Sequence, residues 1–304
     1  MSAARALTVY EPFHSIFYAP QFVALHGGHF ADAGLDVSVI TAGAGRSTTA
    51  ALIDGHAAIA LGGIMRSLDV ADRGGPFLVH FAEVNQRNGF FLLSREPRPT
   101  FAWADLVGRT VISFAEAPTP WQCMLTVLRR HGVDPRSVRI ERTLPLAEAL
   151  AAFKDGRGDF FETGQPFTEQ LVADGAAHLA ASMGEATGPV PFSSYMTTAR
   201  FLREERDVVR RFTRALVRAQ RWIAAADAKQ IAELIAPAFA DIAPEICRRA
   251  VARYLAQDTW SRTPIISRAG YEYLETILVD GGFITRRHRY EDLIDTTVAQ
   301  EVVG

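Results

Sequence analysis

The stretch LIDGHAAIALGG at residues 52–63 is similar in pattern to FKDGRGDFFETG at residues 153–164. Each copy has the end of an apolar helical pattern, then Asp-Gly, then a short run typical of a β-strand, and finally a glycine turn. The two Asp-Gly pairs begin at Asp54 and Asp155, which are about one hundred residues apart. That spacing is too long for a solenoid repeat, and it predicts two similar lobes.

The rest of the chain alternates between strand and helix patterns on both sides of this repeat. Such alternation predicts mostly parallel sheets with right-handed crossovers, and ligands collect at the carboxyl ends of the strands in open sheets of this type. The first set of predicted elements comprises strands at 6–10, 35–40, 57–61 and 77–84 and helices at 20–34, 46–54 and 64–73. The second set begins with a strand at 110–114, a helix at 120–132 and a strand at 138–142.

Two extended stretches are candidates for crossings between the lobes. They are FFLLS at 90–94 and PFSSYMTT at 191–198. We therefore expect a discontinuous first lobe and an inserted second lobe. The predicted bounds are 1–88 and 195–304 for the first lobe, 89–194 for the second, and hinge crossings near 88–94 and 190–198.

Composition limits the classes of partner. The 304-residue chain is 48% hydrophobic and 22% charged and carries a formal net charge of −2, so we expect a globular protein that does not bind nucleic acid. We also expect no stable membrane insertion, because no apolar run reaches the length of a membrane span. Cys123 and Cys247 both lie in apolar helical patterns, which predicts buried free thiols.

The N-terminal residues show no secretory signal. We therefore expect a periplasmic protein if a leader was removed, and a cytoplasmic one if the chain is complete as given.

Familiar catalytic and cofactor motifs do not occur in the sequence. It contains no GxSxG, GxxxxGK, HExxH or CxxC pattern. The pair of histidines in HGGH at 26–29 falls at a predicted helix end, and AGAGRS lacks the third glycine of a dinucleotide fingerprint. We therefore predict no catalytic residue, no cofactor and no metal site.

Residues 10–63 resemble the N-terminal lobe of the sulfonate-, nitrate- and thiamine-pyrimidine-type solute-binding proteins of ABC importers. The likeness extends from about residue 7 to 285, and GRGDFFETGQP resembles a second-lobe strand with its ligand loop. The resemblance implies a periplasmic-binding-protein-like type II fold: two lobes, each a mixed, mostly parallel sheet flanked by helices, that close over a ligand cleft. It rests on Ala24, Gly28, Phe30, Gly34, Leu35, Val37, Asp54 and Gly55.

The loops after the predicted strands are the candidate ligand contacts. Aromatic residues offer stacking, glycines before a helix offer free N–H groups, and amide or charged side chains offer hydrogen bonds. Each candidate also has a purely structural interpretation. The histidine could be a structural hydrogen-bonding residue, the glycines a simple strand-to-helix turn, residues 85–88 a solvated polar turn, and the glutamate a surface carboxylate. The candidates are Phe13, His14, Tyr18, Gly62, Gly63, Met65, Asn85, Arg87, Glu116, Thr119, Trp121, Glu162, Gln165 and Tyr195.

The leading hypothesis is a solute-binding protein that captures a small polar, planar or anionic organic molecule and presents it to the permease of an ABC-type importer. One alternative is an enzyme similar to the thiamine-pyrimidine synthase built on this scaffold. In that family a lysine holds pyridoxal phosphate and a histidine is consumed in the reaction, but this chain has Gly62 and Arg66 at those positions. The cysteine-rich signature of that family is also missing here. A decarboxylase or dehydratase that uses His14 or Glu116, or a cytoplasmic ligand sensor, are further alternatives.

Overall fold

The structure is a computed structural model that describes residues 4–43, 47–115 and 118–304. Within these residues the strands form two five-stranded sheets. The strands are β1 (Arg5–Glu11), β2 (Leu35–Thr41), β3 (Ile59–Gly62), β4 (Leu78–Asn85), β5 (Phe90–Ser94), β6 (Thr110–Ile112), β7 (Arg139–Glu141), β8 (Phe160–Gly164), β9 (His178–Ser182) and β10 (Ser193–Thr198).

Helices flank both sheets. In the first half of the chain they are α1 (Ala19–His26), α2 (His29–Asp32), α3 (Thr48–Ile53), α4 (Ile64–Asp72), α5 (Pro118–Arg130), α6 (Leu146–Lys154) and α7 (Phe167–Ala173). The second half contributes α8 (Met183–Thr187), α9 (Ala199–Glu204), α10 (Arg206–Ala225), α11 (Ala228–Ile235), α12 (Pro244–Ala256), α13 (Arg268–Asp280), α14 (Tyr290–Leu293) and α15 (Thr297–Val303).

The two sheets have matching topologies. The first has the order β2-β1-β3-β10-β4 and the second β7-β6-β8-β5-β9. In each sheet the central strand, β3 or β8, is parallel to one neighbour and antiparallel to the other. The repeated sequence phrase encodes this central strand with the end of the helix before it, α3 or α6. The predicted architecture of two lobes with mixed sheets is confirmed.

The prediction of one helix over 20–34 is wrong, because the structure forms α1 and α2 with a break at two glycines. Gly28 has a φ of 75°, in the left-handed region that glycine adopts without strain. A Cβ atom on Gly27 would lie 2.6 Å from the carbonyl oxygen of Val23. The HGGH pattern therefore ends α1 and starts α2 in a new direction.

The chain passes between the two sheets at two places, and most of the two extended stretches predicted as crossings forms the sheet strands β5 and β10. β4 ends in the first sheet at Asn85 and β5 starts in the second at Phe90, while β10 returns to the first sheet from Ser193. A third segment, residues 257–264, lies against the first crossing. The amide of Gln86 donates to Thr259 O at 3.0 Å, and the amide of Ser261 donates to Val84 O at 2.9 Å.

Each sheet has its own hydrophobic core. The larger core packs α1, α10, α12 and α13 around the first sheet, and the smaller core packs α5 and α6 against the second. Cys123 and Cys247 are both free and buried, as predicted, and burial raises the pKa of the Cys123 thiol to about 12. Across the described residues, the helices are all too short or too polar to cross a membrane.

Substitution of Gly89 tests the close packing at the first crossing. A Cβ atom on Gly89 would lie 2.3 Å from the ring of Phe17, which is itself buried. We expect Gly89→Ala to lower the free energy of unfolding by about 1–3 kcal/mol, because the ring must move out of a packed core. Gly43→Ala is the control, since a Cβ atom there meets nothing within 4 Å. Equal urea-unfolding midpoints for the two variants would contradict the packing argument.

Candidate functional site

A cavity of about 480 Å³ lies between the two sheets and is lined by residues from both sides. Its walls come from the segments after β1, β6 and β8, from the start of β5, and from the connection between α11 and α12. Three of these segments follow carboxyl ends of strands, which is where open α/β sheets place their ligands. The aromatic residues of the lining are Phe13, Phe17, Phe90, Phe114, Phe167, Phe239 and Tyr254.

Several of these rings are already in contact with one another. Phe90 and Phe114 have centroids 5.6 Å apart at an interplanar angle of 30°. Phe17 and Tyr254 are 5.8 Å apart, and they join a segment after β1 to α12. The walls are therefore held in place by aromatic packing, which favours a largely preformed cavity.

A buried carboxylate organises the segment that follows β1. Glu11 is fully buried and accepts three side-chain hydrogen bonds: from Thr41 Oγ1 at 2.9 Å, from Gln21 Nε2 at 2.7 Å and from His14 Nδ1 at 2.9 Å. Gln21 in turn accepts a hydrogen bond from the hydroxyl of Tyr195 at 3.1 Å. Because burying a charge is costly unless it is paired and hydrogen-bonded, these donors fix the position of Glu11 and of the loop after it.

His14 connects this carboxylate to the segment between α11 and α12. Its Nε2 atom lies 2.6 Å from Ala238 O, and its ring packs on Phe239 with centroids 4.7 Å apart. Both ring nitrogens therefore face oxygen acceptors, and only the imidazolium can donate to both. The hydrogen bond to Glu11 raises the pKa of His14, with further support from the Ala238 carbonyl and opposition from partial burial.

Tyr254 of α12 connects the cavity to the first crossing. Its ring lines the cavity, and its hydroxyl accepts a hydrogen bond from the Gln165 amide and donates one to Gly89 O, both at 3.2 Å. Arg253, the preceding residue, forms an ion pair with Glu169 of α7. The end of α12 is thus bonded to the loop after β8 and to α7.

Three of the residues proposed from the sequence line the cavity: Phe13, His14 and Gln165. The Gln165 side chain is bonded to its own helix turn, with Oε1 accepting from the Glu169 amide at 3.2 Å. Tyr18 is buried directly behind Phe13, with ring centroids 5.2 Å apart.

Other proposed residues of the first lobe lie away from the cavity walls. Met65 and Tyr195 are buried in the core, and the amide nitrogen of Asn85 donates to Phe17 O at 2.8 Å. A Cβ atom on Gly62 would lie 3.2 Å from Thr48 Oγ1, and one on Gly63 would lie 3.3 Å from Phe192 O. These two glycines therefore permit close packing at the turn from β3 into α4.

The remaining proposed residues are also held by other parts of the protein. Arg87 donates to Gly184 O at 3.2 Å, Thr119 is buried in the first turn of α5, and Trp121 packs under Arg142 with the guanidinium 4.2 Å from the ring centroid. Glu116 lies outside the described residues.

Glu162 is fully buried in β8, where Ser113 Oγ donates to its Oε2 atom at 3.1 Å. Burial raises the pKa of Glu162 to about 8. Glu162 is not among the residues that line the cavity.

Sequence reasoning missed one whole wall of the cavity. Phe239, Ile242 and Ala243 belong to the connection between α11 and α12, in a region that the sequence pattern described only as helical. Pro237 and Pro244 bracket this connection, and their spacing could have indicated a break in the helical region. Among the described residues no cluster of three or more potential metal ligands is present.

Comparison with known proteins places the chain in a family. The NMT1/THI5-like family model matches residues 16–229. The YtlA protein of Bacillus subtilis (strain 168), which is named as a binding protein, is 31% identical over 298 residues, covering 97% of this chain and 89% of its own.

Solved structures share the fold at low sequence identity. The alkanesulfonate-binding protein SsuA from Xanthomonas axonopodis pv. citri, bound to MOPS, is 18% identical with a TM-score of 0.75, and the match covers 98% of this chain and 100% of SsuA. The desulfurization enzyme DSZB is 16% identical with a TM-score of 0.70, and the match covers 98% and 99% of the two chains. At these identities the likeness establishes the fold.

The His14 contacts predict a pH-dependent contribution to stability. Because the pKa of His14 is raised in the folded protein, its contribution is fully present below the ordinary histidine pKa of about 6.5 and is lost as the pH rises through the folded value. We expect His14→Gln to lower the melting temperature more at about pH 5.5 than at about pH 8.5.

The control is His56→Gln, which removes an exposed histidine. Its effect on the melting temperature should be small at both pH values. A His14→Gln effect of the same size at both pH values, measured by differential scanning fluorimetry, would show that the imidazolium is not what holds the cavity wall.

Proposed function

Because the chain belongs to the NMT1/THI5-like family, we propose that it is a solute-binding protein that captures a small organic molecule between two lobes for an ABC-type importer. The observation that carries the proposal is the cavity of about 480 Å³, whose walls come from both sheets and from the segments that cross between them. A cavity of this size with aromatic walls and a few polar groups is typical of small-molecule binding sites.

The proposed contacts in this cavity are Phe13, His14 and Gln165 from the sequence analysis, together with Phe114 and Phe239. Phe13 is 39% exposed although it is a large apolar residue, and it stands at the cavity wall. Its exposed ring is therefore available for contact with a ligand in the cavity.

The proposed mechanism is closure of one lobe on the other. The lobes are residues 1–88 with 195–304, and residues 89–194, and they move about the crossings near 88–94 and 190–198. A ligand that contacts both walls favours the closed arrangement by its differential affinity for that state. The bonds of Tyr254 and Arg253 to the second sheet's side make α12 part of the closing surface.

The proposed partner is the permease of an importer, and the proposed compartment is the periplasm or its equivalent outside the cytoplasmic membrane. Support comes from the binding-protein relative and from the fold shared with SsuA. Because the enzyme DSZB shares the fold, an experiment has to distinguish binding of an unchanged ligand from its chemical conversion.

Native mass spectrometry of gently purified protein, followed by denaturing extraction, tests the function directly. We expect one unmodified small molecule per chain. A covalent adduct, or a mixture of substrate and product, would instead identify an enzyme on this scaffold and would refute the binding function.

Filling the cavity should abolish ligand capture. Ala243 is exposed at the cavity wall, so Ala243→Trp places a large ring in the ligand's space without disturbing the core. We expect the molecule seen by native mass spectrometry to disappear from this variant. Ala240→Trp adds the same ring to the same connection at an exposed position outside the lining, and it should retain the ligand. Full retention of the molecule by both variants would show that it binds outside this cavity.

Removing one hydroxyl should loosen the link between α12 and the second lobe. Tyr254→Phe keeps the ring in the cavity wall but loses the bonds to Gln165 and Gly89. We expect a broader distance distribution between spin labels at the exposed positions Ile53 and Val107, measured by double electron–electron resonance.

Tyr271→Phe is the matched control, because it removes another buried hydroxyl, one that donates to His288 O at 3.0 Å, away from the cavity. The same distribution in wild type, Tyr254→Phe and Tyr271→Phe would contradict a role for Tyr254 in closure.

A further inference from the structure

The charges around the cavity argue against an anionic ligand. Among the described residues that line it there is no lysine or arginine, and the ionisable side chains are His14, Asp241 and the phenol of Tyr254. His14 is already paired with the buried Glu11 carboxylate, and Asp241 is the other acidic or basic side chain of the described lining. An anion placed there would lie near the Asp241 carboxylate, and no lysine or arginine of the described lining would replace its hydration.

Most polar side chains of the interior are already bonded. The exception is Thr163, which lines the cavity and whose buried Oγ1 atom has no hydrogen-bond partner. Ser15 Oγ accepts from the Phe17 amide at 3.1 Å, Gln165 bonds to the Glu169 turn, and the Tyr254 hydroxyl has both a donor and an acceptor. Gln170 is exposed and donates to Asp174 at 2.8 Å. A polar heteroaromatic ligand would lose water from its ring nitrogens and would gain few hydrogen bonds in return.

The walls instead match an apolar aromatic ring system. Phe90 and Phe114 form a tilted pair at one wall, Phe239 forms part of another beside His14, and Phe13 stands partly exposed next to them. Offset or edge contacts with such rings stabilise a bound aromatic ring beyond the burial of its area. The volume of about 480 Å³ has room for a ligand of two fused rings.

We infer that the ligand is an uncharged, mainly apolar aromatic molecule of about two fused rings, with at most one hydrogen-bonding group, held between the phenylalanine walls. This inference rests on the proposed function and specifies the chemical class of its solute. It separates this chain from a binder of alkanesulfonates on the same fold.

Four probes test this class by isothermal titration calorimetry with the full-length protein stripped of ligand. They are 2-naphthol, naphthalene-2-sulfonate, 4-aminoquinazoline and hexane-1-sulfonate. At about pH 7.5 the first is neutral and apolar, the second adds an anion to the same rings, the third keeps two rings but is polar, and the fourth is an aliphatic anion. We expect 2-naphthol to bind at least about ten-fold more tightly than each of the others.

Phe13→Leu supplies a test that does not threaten folding, since Phe13 is 39% exposed. It should weaken 2-naphthol binding by about three- to ten-fold, through loss of an aromatic contact. Phe77→Leu is the matched control, because Phe77 is 45% exposed, lies outside the cavity and contacts His288. Binding by Phe77→Leu should equal that of wild type.

Binding of naphthalene-2-sulfonate or hexane-1-sulfonate as tight as that of 2-naphthol would overturn the inference, as would failure of all four probes to bind. Equal affinities of Phe13→Leu and Phe77→Leu for 2-naphthol would also overturn it. The proposed function has a separate outcome, because an anionic molecule carried through purification would refute the aromatic class and still support solute binding.

Discussion

The buried carboxylate of Glu11 is the constraint on which the geometry of the cavity depends. It ends β1 inside the protein, where an unpaired charge would be strongly destabilising, so its three side-chain donors have to be in place. One donor, His14, extends the network to the carbonyl oxygen of Ala238, before α12. A single charge in the first sheet thereby fixes two walls: the segment after β1, and the connection between α11 and α12.

The C-terminal helices bond directly to the region between the two lobes. Residues at the end of α12 and just after it bond to the second sheet's ligand-side loop and to the crossings. Gln257 Nε2 donates to Asn88 O at 2.7 Å, and Gln257 Oε1 accepts from Ser182 at 2.6 Å. Because α12 also packs in the first core, it couples the two halves of the molecule. Any rearrangement of the cavity must therefore include this helix.

The same fold serves proteins with different activities, as the likeness to both SsuA and DSZB illustrates. Function then depends on the chemistry of the site and not on the scaffold. Here phenylalanine and tyrosine rings form much of the described lining, and most interior polar side chains bond to backbone groups, with Thr163 Oγ1 as the exception. Such a site contributes shape and apolar surface to binding, with little capacity to compensate a buried ligand charge.

Local patterns in the sequence determined the elements, because strand and helix periodicities and glycine turns depend on neighbouring residues alone. The repeat at Asp54 and Asp155 indicated two lobes, and the loops after the strands indicated Phe13, His14 and Gln165. Only the tertiary structure determined which residues form the cavity walls. Its walls include Phe239 and Tyr254, which are distant in sequence, and polar candidates such as Arg87 and Asn85 satisfy backbone carbonyls instead. The physical reason is that a side chain's role depends on which partners the folded chain brings within hydrogen-bonding or stacking distance, and sequence spacing does not specify those partners.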